Sequence, residues 1–385
     1  MLKLILFNLY PRIILFFLFI CLNLSASKWV YQADLLNASN KNNIEIKELL
    51  GNVIIKKDSI TLKTNKAILY SKNDELELFN DIIMTTNQDT LICDTLYYFP
   101  KKDDYIIASG NIQMSNSSGS LLSDSLYFWS LRDSMIATGN VVFKSQNGQL
   151  SSGFLDYNSN TGIIFAKDSV FLNGANSSIT SDSLYFWSSI DSVFAIGNAN
   201  LKNDDGDLSA RNISFSGSND EVYAYGKAYL SNQNSNISAN SIYYIKDTGY
   251  NGYSFTADGN VVAKDDQNIL KGDIITYNDS TQQMSLVDNA SIKNTNQELT
   301  GESIYIQFQD STLSHISIDK NPTAINLVTA KLYNESPYTE YFDRMFGKKM
   351  FITYQENKIN KLTITGMANS IYHIIKNDLL EGQNE

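Results

Sequence analysis

From Met135 to Phe143 the inward and outward positions alternate strictly, with Met135, Ala137, Gly139, Val141 and Phe143 on one face and Ile136, Thr138, Asn140 and Val142 on the other. A period of two predicts a strand with one face turned to a core. The pattern returns about every 29 residues, marked by a glycine or turn-type residue at Gly51, Asn80, Gly110, Gly139, Asp168, Gly197, Gly226, Gly259 and Asp288. Shortly before each marker stands Leu or Ala, as in Leu49, Ala108 and Ala166, and shortly after it come apolar pairs such as Val53/Ile55, Ile112/Met114, Val141/Phe143 and Ala199/Leu201. A period of this length means one small unit copied along the chain rather than a domain wrapped around a single core.

Each copy holds a second strand. After a polar turn comes Leu62, Leu91, Leu121, Leu150 or its counterpart, and then the inward pairs Leu126/Phe128, Leu155/Tyr157, Leu184/Phe186, Ile213/Phe215 and Ile242/Tyr244. Between the small residues Ser123, Ser152 and Ser181 and the apolar residues Leu126, Leu155 and Leu184 the step is three positions rather than two. The strand must bulge there to keep both its ends on one side. Each repeat is therefore a pair of antiparallel strands, both turned at mid-length, and stacked repeats give a folded sheet with an apolar crease. Its lining candidates are Leu126, Phe128, Val141, Phe143, Leu155, Tyr157, Leu184, Phe186, Leu201, Ile213, Phe215, Ile242 and Tyr244. These side chains either fill one another's space as a core or line a groove for a ligand, and alternation alone is the same in both cases.

The rhythm weakens toward the end. Ile316, Ile318, Lys320, Pro322 and Ala324 keep the inward phase in one inexact copy, and Leu362, Ile364 and Ala368 keep it around Gly366, with Ile352 and Tyr354 as second strand. Between them, from Pro337 to Lys349, Tyr341, Phe342, Met345 and Phe346 stand at helical spacing and predict a short amphipathic helix or ordered loop. The organisation expected is a signal peptide over 1–27, a repeat domain over 28–320, and irregular repeats with a short insertion over 321–385.

Composition agrees with an all-β chain: 23 Tyr and 19 Phe against 4 Pro in 385 residues. The net charge of -11 excludes a nucleic-acid partner, which requires a basic face that no repeat supplies. Lys3 and Arg12, the apolar run Ile13 to Leu22 and Ser25-Ala26-Ser27 together read as an export leader, with an uncleaved anchor as the rival. Cys93 occupies a column held elsewhere by Thr64, Ser123, Ser152 and Ala210, so it reads as a small buried residue and not a nucleophile.

Catalytic and metal chemistry find little to stand on. His315 and His373 are isolated in strand patterns, without the partners a triad or zinc site needs. Asn203-Asp-Asp-Gly-Asp207 reads as a hairpin turn, since it lacks the closing glutamate of a calcium loop. The recurring Asp94, Asp124, Asp182 and Asp273 fall at the bend and read as a solvated corner. Trp129 and Trp187, in two identical segments, point away from Phe128 and Phe186. No cofactor is expected, and the chain does not read as an enzyme.

The marker pattern A-x-G-N-V-x-V followed by L-x-S/A-x-x-L-x-Y resembles the OstA-like (organic solvent tolerance) family, over about Leu49 to Ile318, and the ending Gly366-Met-Ala-Asn-Ser-Ile-Tyr-His-Ile is similar to a stretch in its larger members. The resemblance implies an elongated, taco-like β-jellyroll that carries the lipid A acyl chains of lipopolysaccharide in its crease across the periplasm. It also implies other lipopolysaccharide transport proteins as partners, joined by strand pairing at open sheet edges, with self-association as a further outcome. The expected function is a periplasmic lipopolysaccharide bridge. A lipid-free structural β-solenoid, such as a scaffold or surface adhesin, and a membrane-anchored exporter subunit are the alternatives.

Overall fold

The computed structural model describes residues 29–384 apart from 147, 175, 205, 218–219, 247–251, 311, 334–335 and 357. The leader expected over 1–27 lies outside the described residues. Those described form strands from Val30–Gln32 to Leu379–Asn384, joined by short turns and a single 3-10 turn at Ser130–Arg132. The fold is an all-β jellyroll of bent antiparallel strands, as the alternation predicts. It comprises two compact units, one of residues 29–203 with 216–217 and the other of residues 204–215 with 220–384.

In the N-terminal unit a typical repeat pairs Ser134–Ser145 with Gly148–Asn158 and, on its other side, with Gly119–Trp129. Both strands turn in the middle, by different means. The marker and the residue after it hold left-handed backbone, with φ of 73° and 48° at Gly139/Asn140 and 68° and 61° at Asp168/Ser169. The facing strand bulges, its register slipping between Ser152 and Phe154 where the sequence step of three foretold it. One face is thus kept inward through the corner.

Glycine is the usual marker because of what lies across from it. A β-carbon at Gly139 would stand 2.3 Å from the Asp124 carboxylate. Where the marker is Asp168 the roles exchange, since the facing residue is Gly153 and a β-carbon there would lie 2.8 Å from that of Asp168. In these two corners one of the facing residues has no side chain, whereas at Asn80 and Asp288 both do, with Asn65 and Asp273 across the bend.

The C-terminal unit continues the scheme further than the sequence suggests. Lys320/Asn321 and Gly366/Met367 hold the same left-handed pair, with φ of 54° and 55° and of 76° and 56°. The segment expected to be helical is instead the strand Tyr338–Phe346, paired in unbroken register with Thr323–Lys331. A spacing of four is one helical turn but also two strand periods, so Tyr341/Met345 and Phe342/Phe346 suit either. The strand sends those pairs to opposite faces, with Tyr341 and Met345 half-buried and Phe342 and Phe346 exposed. Backbone pairing with Thr323–Lys331 satisfies the N–H and C=O groups and decides between the two.

Candidate functional site: the inner face and its corner

In the N-terminal unit the inward faces of the repeats form columns that alternate large and small. Leu126 lies between Ala108 and Ala137, Leu155 between Ala137 and Ala166, and Leu184 between Ala166 and Ala195. Nearer the hairpin ends, Phe128, Tyr157 and Phe186 pair with Met135 and Ile164, while Phe143 sits between Leu121 and Leu150 beyond the corner. Val141 and Leu201 complete the set there. The C-terminal unit repeats the arrangement, with Ile242 between Ala224 and Ala257 and Tyr244 between Val222 and Phe255, and with Ile213 and Phe215 in the strand Gly206–Ser216.

All thirteen sequence-derived lining residues are inward, each 0–8% exposed. Burial acts on their polar ends: it pushes the Tyr157 phenol up to about 12, with the charge of Asp133 adding to the shift. The Tyr244 phenol rises well above its ordinary range for the same reason, beside Tyr253 stacked at 4.9 Å. Cys93, 1% exposed, shows the same effect, its thiol pushed up to about 12 by burial and then by Asp94. Such a thiol is not a nucleophile at neutral pH.

The corner aspartates have partners that spacing alone did not reveal. Asn140 Nδ2 donates to Asp124 Oδ2 at 3.0 Å, Asn111 to Asp94 at 2.8 Å and Asn198 to Asp182 at 3.1 Å. In the C-terminal unit Asn289 donates to Asp273 at 3.3 Å. In these four repeats the left-handed asparagine after the marker reaches the carboxylate of the preceding strand and forms a rung across the bend. Among the described residues no group of three or more His, Cys, Asp or Glu is placed to hold a metal ion.

One other position differs from the sequence reading. His373 is not isolated: its Nδ1 lies 3.0 Å from Asp343 Oδ1, its backbone N–H donates to the same oxygen at 2.8 Å, and Tyr341 packs 5.0 Å from its ring. Thirty residues of sequence separate that pair, and only the strand pairing closes the gap. Trp129 and Trp187 do face outward, but Trp129 stacks on Tyr105 at 4.8 Å and Trp187 on Tyr185 at 5.8 Å, so their ring faces are spent within the sheet.

Residues 27–182 match the family described as OstA-like protein. No curated protein matches the chain. Among solved structures, the chain is similar to LptH, the LptA-homologous periplasmic component of the lipopolysaccharide transport device of Pseudomonas aeruginosa, at 13% identity over 36% of this chain and 79% of that one, with a TM-score of 0.16. The jellyroll is read from the strands of this chain and not from that overlay.

Proposed function

We propose, from the match of residues 27–182 to the OstA-like family, that the chain conveys lipopolysaccharide through the periplasm, with acyl chains held against the inner columns. The observation behind this reading is the uniformity of those columns in an OstA-like segment. Burying a methylene contributes about 0.8 kcal/mol, so a lipid with several acyl chains faces tens of kcal/mol in water and needs cover throughout its passage. Repeats with the same inward residue types offer successive sites of nearly equal affinity. A lipid on such a track moves on instead of being trapped.

Loading requires the two layers of a unit to part, because Leu126, Phe128, Val141, Phe143, Leu155, Tyr157, Leu184, Phe186 and Leu201 in one unit, and Ile213, Phe215, Ile242 and Tyr244 in the other, cover one another. Each strand crosses between layers at the corner, which leaves the corner as the hinge. Partners would join at the sheet edge. Val30–Gln32 and Leu35–Lys41 pair only with Ile44–Lys57 among the described residues, and all of Leu35–Lys41 is exposed. That edge suits another lipopolysaccharide transport protein or a second copy.

The complete burial of the same thirteen residues also favours a second reading, a lipid-free β scaffold whose inner face is simply its core. Photocrosslinking separates the two. A photoreactive residue at Phe128, Phe186 or Phe215 should trap lipopolysaccharide in cells, while one at Trp129 should not. Equal labelling at inward and outward positions, or none, would sink the lipid track and leave the scaffold.

A further inference from the structure

On the outer face of the C-terminal unit one cross-strand row runs Tyr223, Tyr243, Thr256, Thr276, Ser285, Tyr305 and Ser317. In the N-terminal unit the equivalent row is bulky, running Tyr97, Ile107, Tyr127, Ile136, Asp156, Phe165 and Tyr185. Where the C-terminal row shrinks to Thr276 and Ser285 a groove of about 510 Å³ opens, walled by Tyr305 and reaching His315 and Ser317. A second row, Asn278, Gln283, Gln307 and His315, runs alongside. The groove is therefore flanked by hydroxyls on one side and by carboxamides and an imidazole on the other.

Its polar groups are held in place. Gln307 Nε2 donates to the Thr281 carbonyl at 2.9 Å and the Phe308 carbonyl at 2.8 Å, and its Oε1 accepts from Gln283 Nε2 at 2.9 Å. The Thr276 and Ser285 hydroxyls bond at 2.6 Å. His315 packs 5.1 Å from the ring of exposed Phe351, and Tyr305 is 46% exposed. No Asp, Glu, Lys or Arg lines the groove. A ligand carrying phosphate, carboxylate or ammonium finds no counter-charge there, whereas one rich in hydroxyl and amide groups finds fixed donors and acceptors beside open aromatic faces.

We propose that this groove binds a neutral oligosaccharide, with Tyr305 as the stacking platform and Gln283 and Ser285 as hydrogen-bonding partners. Its polar lining lies on the outer face, although the buried Met284 and Ile306 also border it, and the proposal does not rest on the lipid reading. The test uses lipid-free sugars on the full chain, so failure here leaves the acyl-chain track untouched. Saturation-transfer NMR with chitotetraose and with maltotetraose should detect binding of at least one at about millimolar affinity. The two sugars tell an N-acetylated glycan from a plain hexose chain. Tyr305→Ala should weaken binding about tenfold, whereas Tyr229→Ala, another exposed tyrosine of this unit outside the groove, should leave it unchanged. Tyr305 is half-exposed, and an unchanged circular dichroism spectrum confirms that the variant folds. Transfer to neither sugar, or equal losses in the two variants, overturns the proposal.

Discussion

The repeat around Gly139 and the last bent strands around Gly366 share a corner but not a core. Both turn through a left-handed pair, and in both a side chain from across the bend lies over the glycine: Asp124 over Gly139, and Lys348, just before the strand Lys349–Gln355, over Gly366, where a β-carbon would meet that of Lys348 at 2.8 Å. Yet Val141, Phe143 and Leu155 are fully buried, while Leu362, Ile364, Ile371 and Ile375 are only half-buried and Tyr372 and Ile374 are exposed. The corner is a local device that two strands suffice to build. The core belongs to the array, and needs neighbours on both sides and a facing layer.

If that is right, truncating an inward side chain should matter in proportion to where in the array it sits. Phe143→Ala should cost about 3–5 kcal/mol, against about 1 kcal/mol for Ile364→Ala, which gives up a half-buried side chain. Hydrogen exchange followed by mass spectrometry reads each locally, over residues 134–158 and 358–376, without assuming that the units unfold together. Equal loss of protection at the two places would mean that the final strands share the core of the regular repeats.

The corner allows a finer test, because the chain has performed the exchange itself. Gly139→Asp puts a second side chain against Asp124 in a left-handed backbone, and should cost about 2 kcal/mol. Adding Asp124→Gly recreates the arrangement at Gly153 and Asp168 and should restore most of the loss. A double variant no better than the single one would show that the facing pair does not set the marker residue. The same exchange has no counterpart at Gly366, where the facing side chain is Lys348.

These particulars explain what the sequence made legible. The inward columns were readable because strand alternation is local and the repeat supplied many independent samples of it, so all thirteen lining residues fall inward. The bulge was readable from a step of three between Ser152 and Leu155. The segment Tyr338–Phe346 was misread because a spacing of four fits both periods, and its pairing partner Thr323–Lys331 decides the matter from outside the segment. The Asp343–His373 contact and the Asn140–Asp124 rung join residues on different strands, so no single stretch shows them. The outer groove depends on side chains that are small relative to their row, a contrast visible only once the rows are aligned across strands.

The smallest effect concerns the tyrosines of the inner face. Burial, with Asp133 second, pushes Tyr157 up to about 12 from an ordinary value of 10.0. The folded chain therefore keeps its proton while the unfolded chain gives it up. Stability linked to this group is complete below pH 10 and is lost as the pH climbs toward about 12, since the folded state then holds more protons than the unfolded one. Tyr157→Phe removes the titration, so protection of residues 148–173 should persist to higher pH than in the parent chain. Tyr277 in the C-terminal unit is also pushed up to about 12, by burial first and then by Asp279, which its hydroxyl reaches at 3.2 Å. Tyr277→Phe loses this bond to Asp279 along with the titration, so its gain above pH 10 should be offset by a loss at neutral pH. If Tyr157→Phe also fails to extend protection above pH 10, the phenol is not held out of water, and the closed inner face of the N-terminal unit is open to solvent at this position.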